Sequence, residues 1–180
     1  MNETYLNKLS KEIHLDVVAA GWWPEGKSCI YEKLQLVSTE VAEATAGARK
    51  DLMDDHLTLY KMELVELVDT LIRTLDLGGR LELTYKELDM EHPFIGKDKF
   101  IGCNHLGINC CIIDLSKAFY LNKSVDVLND FYSALIWSIL EVAKVRGFNL
   151  ALPLREKLDY NKIRLDHKLS KRAEKGGKKF

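Results

Sequence analysis

Apolar residues recur along this chain three and four positions apart, as in amphipathic α-helices, and the alternating pattern of strands is weak. One such apolar stripe consists of Leu34, Val37, Val41, Ala44 and Ala48. Helices are predicted over residues 3–20, 31–50, 59–77, 105–121 and 125–146, with a last one beginning near Pro153. Gly21 and the pair Gly78-Gly79 are predicted to end the helices that precede them. The pattern therefore predicts an all-α fold, a four-helix bundle core with flanking N- and C-terminal helices.

The length and composition favour one globular domain. The chain has 180 residues, of which 47% are hydrophobic and 29% charged, so a single domain over residues 1–180 is predicted. Neither a signal peptide nor an uninterrupted apolar run of about 18 residues is recognised, so no membrane association is expected. The four cysteines form no C-x-x-C pair. Reduced thiols and a cytoplasmic location are the resulting expectation.

Two of the predicted helices each contain a pair of carboxylates three positions apart. Glu40 and Glu43 lie in the helix over residues 31–50, and Glu66 and Asp69 lie in the helix over residues 59–77. Residues three apart share one face of a helix. The short connection favours antiparallel packing of the two helices, so the two pairs can converge in one cleft.

Four carboxylates in one cleft repel each other unless a cation neutralises them. Oxygen ligands suit Mg²⁺, with Mn²⁺ as a possible substitute, and Mg²⁺ is commonly shared between a few carboxylates and substrate phosphates. A solvated acidic face is the alternative interpretation. A di-iron site is disfavoured, because it requires Glu-x-x-His on two helices and the sequence contains no such motif.

The charge is unevenly distributed along the chain. The net charge is −1, but residues 155–180 contain ten basic and four acidic side chains, so this end carries +6 and the rest carries −7. An acidic body with a basic C-terminal segment, residues 153–180, can assemble a site for metal ions and phosphates. A solvated tail that aids solubility is the alternative.

Several motifs occur together in one order. Glu40-x-x-Glu43 is followed after 22 residues by Glu66-x-x-Asp69. The others are Trp22-Trp23, RKDLMDD at 49–55, Lys157-x-x-Tyr160-Asn161-x-x-Arg164 continued by DHK at 166–168, and GGKKF at 176–180. With these motifs the chain resembles the MazG-like all-α nucleotide pyrophosphohydrolases, in particular a phage and bacterial branch. The resemblance covers about residues 22–80 and 141–180, and it departs from the family at Thr39, where a second glutamate is common, and at 55–58, which lack a proline.

The resemblance implies Mg²⁺-dependent hydrolysis of a nucleoside or deoxynucleoside triphosphate to the monophosphate and pyrophosphate, with water attacking the α-phosphorus. The expected metal ligands and catalytic residues are Glu40, Glu43, Glu66 and Asp69, and Glu43 is expected to orient or deprotonate the water. Phosphate contacts are expected from Lys157, Asn161, Arg164 and Lys168, and base stacking from Tyr160, Trp22 or Trp23. Members of the family form homodimers or homotetramers, for which residues 131–142 offer an apolar helix.

Two other interpretations remain open at the level of sequence. A non-catalytic helical module could bind nucleic acid or an acidic partner through the basic segment, although its cations alternate with Asp159, Asp166 and Glu174. The second interpretation is a regulator that has the same fold and binds a nucleotide without hydrolysing it. Neither the nucleotide nor the biological role is predicted by the sequence.

Overall fold

The computed structural model describes residues 1–24, 28–164 and 169–176. Its helices are α1 (Glu3–Ala19), α2 (Ile30–Lys50), α3 (Met62–Leu81), α4 (Ile101–Tyr120), α5 (Val125–Val145), α6 (Ala151–Ile163) and α7 (Leu169–Arg172). In the described ranges the extended segments form only one isolated antiparallel bridge, between Met53 and Lys61. The predicted all-α class is confirmed.

A tight connection joins α2 to α3. Asp51 ends α2 in the left-handed conformation with φ 52°, and the bridge from Met53 to Lys61 then returns the chain. Inside this loop the Asp54 carboxylate accepts hydrogen bonds from the backbone N–H groups of His56 (2.9 Å) and Leu57 (2.6 Å). The two helices pack along each other. The short connection and this packing bring the acidic pairs of α2 and α3 to one place.

Helix α3 lies at the centre of the protein and packs against α1, α2, α5 and α6. It continues to Leu81, so the prediction that Gly78-Gly79 ends it after residue 77 is wrong. These glycines serve close packing instead. A Cβ atom on Gly78 would lie 2.1 Å from the Tyr132 hydroxyl oxygen, and one on Gly79 would lie 2.5 Å from the Ser10 carbonyl oxygen.

Helix α5 contributes its apolar face to the core of the chain itself. Tyr132, Leu135, Ile136, Ile139 and Val142 are all buried. These side chains therefore fill the monomer's interior and do not offer a surface to a second copy. The four-helix bundle core and the homo-oligomer stay predictions, as does the single domain over residues 1–180. Within the described residues, no helix combines the length and apolar character needed to cross a bilayer.

Candidate functional site

Three carboxylates meet between α2 and α3, and we call them the acid cluster: Glu40, Glu43 and Glu66. Each offers one oxygen, and these oxygens all lie within 4.8 Å of one another. Glu40 and Glu66 are only 6% and 7% exposed, whereas Glu43 is exposed to solvent. The cluster is thus a buried acidic site with one open side. The predicted convergence of the two helices' acidic pairs is confirmed for these three residues.

The acid cluster is electrostatically unbalanced. Burial raises the pKa of Glu66 to about 9, with further contributions from the neighbouring charges of Asp69 and Glu40, while Lys157 opposes the increase. A carboxyl group in this state keeps its proton at neutral pH because burial, and then nearby charge of the same sign, disfavours ionisation. A divalent cation with oxygen ligands would supply the missing positive charge, so the donor set fits Mg²⁺ or Mn²⁺.

Asp69, the fourth predicted ligand, is engaged by a lysine. The Nζ atom of Lys157 on α6 lies 2.8 Å from Asp69 Oδ2, and Lys157 is only 3% exposed. Burial would lower the pKa of Lys157, but the charges of Asp69, Asp54 and Glu66 outweigh it and raise the pKa, so the side chain remains a cation. Lys157 was predicted to contact phosphates. Its ammonium group contacts Asp69 and lies near Asp54 and Glu66, and the phosphate contact stays a prediction.

Arg73 belongs to the site but is not among the predicted site residues. It lies one helical turn after Asp69 on α3, and its Nε atom donates a hydrogen bond to Glu40 Oε1. The spacing of four residues from Asp69 was the available signal, because positions i and i+4 share a face of a helix. Arg73 thus brings one positive charge to the edge of the acid cluster.

A second buried glutamate, Glu63, lies one turn before Glu66 on α3 and was also missed. Arg146 binds it in a bidentate manner, with Nε 2.8 Å from Oε1 and an Nη atom 2.9 Å from Oε2. His105 Nε2 lies 3.2 Å from Glu63 Oε1, and His105 Nδ1 lies 2.9 Å from the Thr45 hydroxyl. Burial would raise the pKa of Glu63, but the hydrogen bonds from His105 and Arg146 outweigh it and lower the pKa. Glu63 thus links α3 to α4 through His105 and to the end of α5 through Arg146.

Of the remaining predicted substrate residues on α6 and after it, Tyr160 and Arg164 contact other side chains. Tyr160 stacks on His56 with a centroid distance of 4.9 Å, and the Arg164 guanidinium lies 5.4 Å from the Tyr160 ring centre. The side-chain oxygen of Asn161 is buried and has no hydrogen-bond partner in the described part of the chain. Lys168 lies outside the described residues. Tyr160 and Arg164 therefore form one surface patch with His56, near the α2–α3 connection.

The two tryptophans lie at the other end of α3. Trp23 Nε1 donates to the Asp76 carboxylate, 3.0 Å from Oδ1 and 2.9 Å from Oδ2, and His14 Nδ1 lies 2.8 Å from Oδ1. Trp22 lies against Arg172, whose guanidinium carbon is 3.5 Å from the centre of the ring. The tryptophans thus contact Asp76 and Arg172, whereas Tyr160 contacts His56, and base stacking by any one of the three stays a prediction.

Comparison with known proteins gives no match to a family model, to a curated protein or to a solved structure.

Proposed function

We propose that the protein is a Mg²⁺-dependent nucleoside triphosphate pyrophosphohydrolase of the MazG-like type. The observation that supports it most is the convergence of Glu40, Glu43 and Glu66 within 4.8 Å, beside Asp69 one turn further along α3. Arg73 and Lys157 contact Glu40 and Asp69, but Glu66 has no such ion pair and its acidic neighbours raise its pKa. Carboxylates this close together are costly without a further cation. Glu63, by contrast, has its own arginine partner.

Glu40, Glu43, Glu66 and Asp69 would hold Mg²⁺, which on binding neutralises phosphate oxygens and lowers the pKa of a bound water. Glu40 and Glu66 are buried and therefore well fixed in orientation. Glu43 faces solvent, so it is the residue that we assign to orient the attacking water and accept its proton. The water oxygen forms a bond to the α-phosphorus, the bond from that phosphorus to the bridging oxygen breaks, and pyrophosphate leaves with the electron pair.

Lys157 fits a supporting part in this proposal. Its ammonium group is held 2.8 Å from Asp69 and lies near Asp54 and Glu66. It would limit the repulsion among the acidic residues while the site is free of metal. Burial raises the pKa of Asp69, and the charge of Lys157 opposes that increase. Cytoplasmic nucleotides as substrates, and assembly into a homodimer or homotetramer, belong to the same proposal.

Pyrophosphate release from a panel of ribo- and deoxynucleoside triphosphates, with Mg²⁺ or with EDTA, tests the proposal. Glu66→Gln should lower metal-dependent release by about 10³-fold, roughly 4 kcal/mol of barrier, because it removes a ligand charge from the site. The matched control is Glu12→Gln, which changes an exposed glutamate of α1 that pairs with Lys8. Its activity should equal that of the wild type.

Release that persists in EDTA, or that Glu66→Gln leaves intact, would contradict the proposal. So would a folded wild-type protein that releases pyrophosphate from no nucleotide of the panel. The ranking of nucleotides in a positive result would give the substrate preference.

Three of the described basic residues near the C-terminus already pair with acidic groups, which is evidence against the nucleic-acid module. Lys157 is buried on Asp69, Lys162 pairs with Asp16 at 3.2 Å and Lys171 pairs with Glu174 at 2.9 Å. Cations that bind a phosphate backbone are instead expected to project freely from one face.

A further inference from the structure

The turn that follows α1 holds two cations through its backbone carbonyls. Lys33 Nζ donates to the Trp22 carbonyl oxygen at 3.0 Å. Arg172 Nη1 donates to the carbonyl oxygens of Ala20 at 3.2 Å and Gly21 at 3.1 Å. Arg172 also lies on the Trp22 ring, 3.5 Å from its centre. Residues far apart in sequence, on α2 and α7, are therefore brought to one turn with their charges close together.

No acidic group in the described part of the chain directly contacts either of these two charges. Among the described residues, neither Lys33 nor Arg172 forms a salt bridge, and the Nε atom of Arg172 is buried without a hydrogen-bond partner. Burial lowers the pKa of Lys33, and the charges of Arg73 and Arg172 act in the same direction against Asp76 and Glu32. Several cations close enough to repel each other, with a donor left over, are the arrangement that binds a multiply charged anion.

Arg73 connects this group to the acid cluster. It donates to Glu40, and one turn after it on α3 Asp76 accepts a hydrogen bond from Trp23, whose ring centre lies 4.9 Å from Lys33 Nζ. Lys33 and Arg172 both donate to the turn at residues 20–22. These contacts lead from Glu40 through Arg73 to Lys33 and Arg172. A linear triphosphate has its α-phosphorus at the metal and its β- and γ-phosphates further along, which matches this order.

We propose that Lys33, Arg73 and Arg172 bind the β- and γ-phosphates of the substrate, the part that leaves as pyrophosphate. This inference rests on the proposed function. Arginine presents planar donors that match phosphate oxygens, and lysine adds a compact charge. Because negative charge grows on the leaving group as the bond to the α-phosphorus breaks, the three cations stabilise the transition state as well as the bound substrate.

Lys33→Gln and Arg172→Gln are the informative variants, because neither residue contacts a carboxylate of the acid cluster. Each should raise the KM for the nucleoside triphosphate, and the inhibition constant of pyrophosphate as a product inhibitor, by about tenfold, the effect of one lost charge-assisted hydrogen bond. Inhibition by the nucleoside monophosphate should stay unchanged, since that product lacks the β- and γ-phosphates. The two variants lie on different helices, so a local folding defect in one does not affect the result from the other. Circular dichroism would detect such a defect.

Lys171→Gln is the matched control. It removes a neighbouring charge of α7 that already pairs with Glu174 at 2.9 Å, so its kinetics should equal those of the wild type. Unchanged pyrophosphate inhibition in both folded variants would overturn the inference and leave the proposed function standing. Equal weakening of monophosphate and pyrophosphate inhibition would also overturn it, because the cations would then not distinguish the leaving group.

A separate experiment is needed if the wild type hydrolyses no nucleotide of the panel. Calorimetric titration with inorganic pyrophosphate in EDTA then tests whether the three cations bind this anion. Binding to the wild type that Lys33→Gln and Arg172→Gln each weaken about tenfold would support the anion site although the proposed function had failed. Absence of binding to the wild type would overturn the anion site as well.

Discussion

Glu63 and Glu66 are two glutamates one turn apart on the same helix, almost equally buried, with opposite electrostatic states. Glu63 is 3% exposed and Glu66 is 7% exposed. Hydrogen bonds from His105 and Arg146 lower the pKa of Glu63 below its usual value. Burial and the acidic neighbours raise the pKa of Glu66 to about 9. Burial alone therefore does not determine the state of a glutamate, because the sign of the charges packed around it decides the direction.

The difference separates a structural group from a candidate binding site. Glu63 has its positive charge within the protein, in the bidentate contact with Arg146, and it needs nothing from solution. Glu66 faces Asp69, Glu40 and Glu43, and Lys157 offsets only part of their charge. A buried carboxyl group whose ionised form is not compensated internally marks a position where an external cation has most to contribute.

Glu63→Gln should cause the largest change in stability. It leaves Arg146 without its carboxylate partner, and removing one member of a buried ion pair costs about 3 kcal/mol in the free energy of unfolding. Urea denaturation at pH 7 measures this, with Glu12→Gln as the surface control.

The loss of stability caused by Glu63→Gln should also depend on pH. Because the folded pKa of Glu63 is lowered, its stabilisation is present above the unfolded value near 4.5 and is lost as the pH falls through the folded pKa. If Glu63→Gln destabilises the protein by the same amount at every pH at which the protein is folded, the lowered pKa of Glu63 is contradicted.

Glu66→Gln should have the opposite effect on the metal-free protein. The folded pKa of about 9 lies above the usual 4.5, so the folded state binds more protons in between and the wild type loses stability as the pH rises through this window. A neutral glutamine at this position should raise the free energy of unfolding by about 1–3 kcal/mol at pH 8 in EDTA. The gain should shrink toward pH 5, and a variant less stable than the wild type at pH 8 would contradict the unbalanced state of the acid cluster.

The binding of Mg²⁺ should release a proton, which is the smallest of the expected effects. Since metal binding requires an ionised carboxylate, the affinity should rise by up to about tenfold per pH unit below pH 9. Isothermal titration calorimetry at pH 7 in buffers with different ionisation enthalpies measures the released protons directly. Proton release close to zero would show that Glu66 is already ionised before the metal binds.

Local spacing in the sequence predicted a large part of this arrangement. The i, i+3 pairs on two neighbouring helices were sufficient to bring Glu40, Glu43 and Glu66 together, since the short connection restricts how the helices can pack. The all-α class followed from the periodicity of apolar residues. The end of α3 was not predictable from the local sequence. Gly78 and Gly79 are required by the close approach of Tyr132 and Ser10 on other helices and do not end the helix.

The amino-acid sequence by itself thus determined the helical fold class and the face of each helix that carries the acidic pairs, because both depend on residues close in the chain. The meeting of Glu40 and Glu43 with Glu66 also required α2 to pack along α3. Only the tertiary structure decided which buried glutamate is balanced and which is not. The partners of Glu63 lie 42 and 83 residues away, and Asp69 meets Lys157 from a distant helix. The charge that surrounds a buried group is the sum over all elements packed against it, and no local pattern contains that sum.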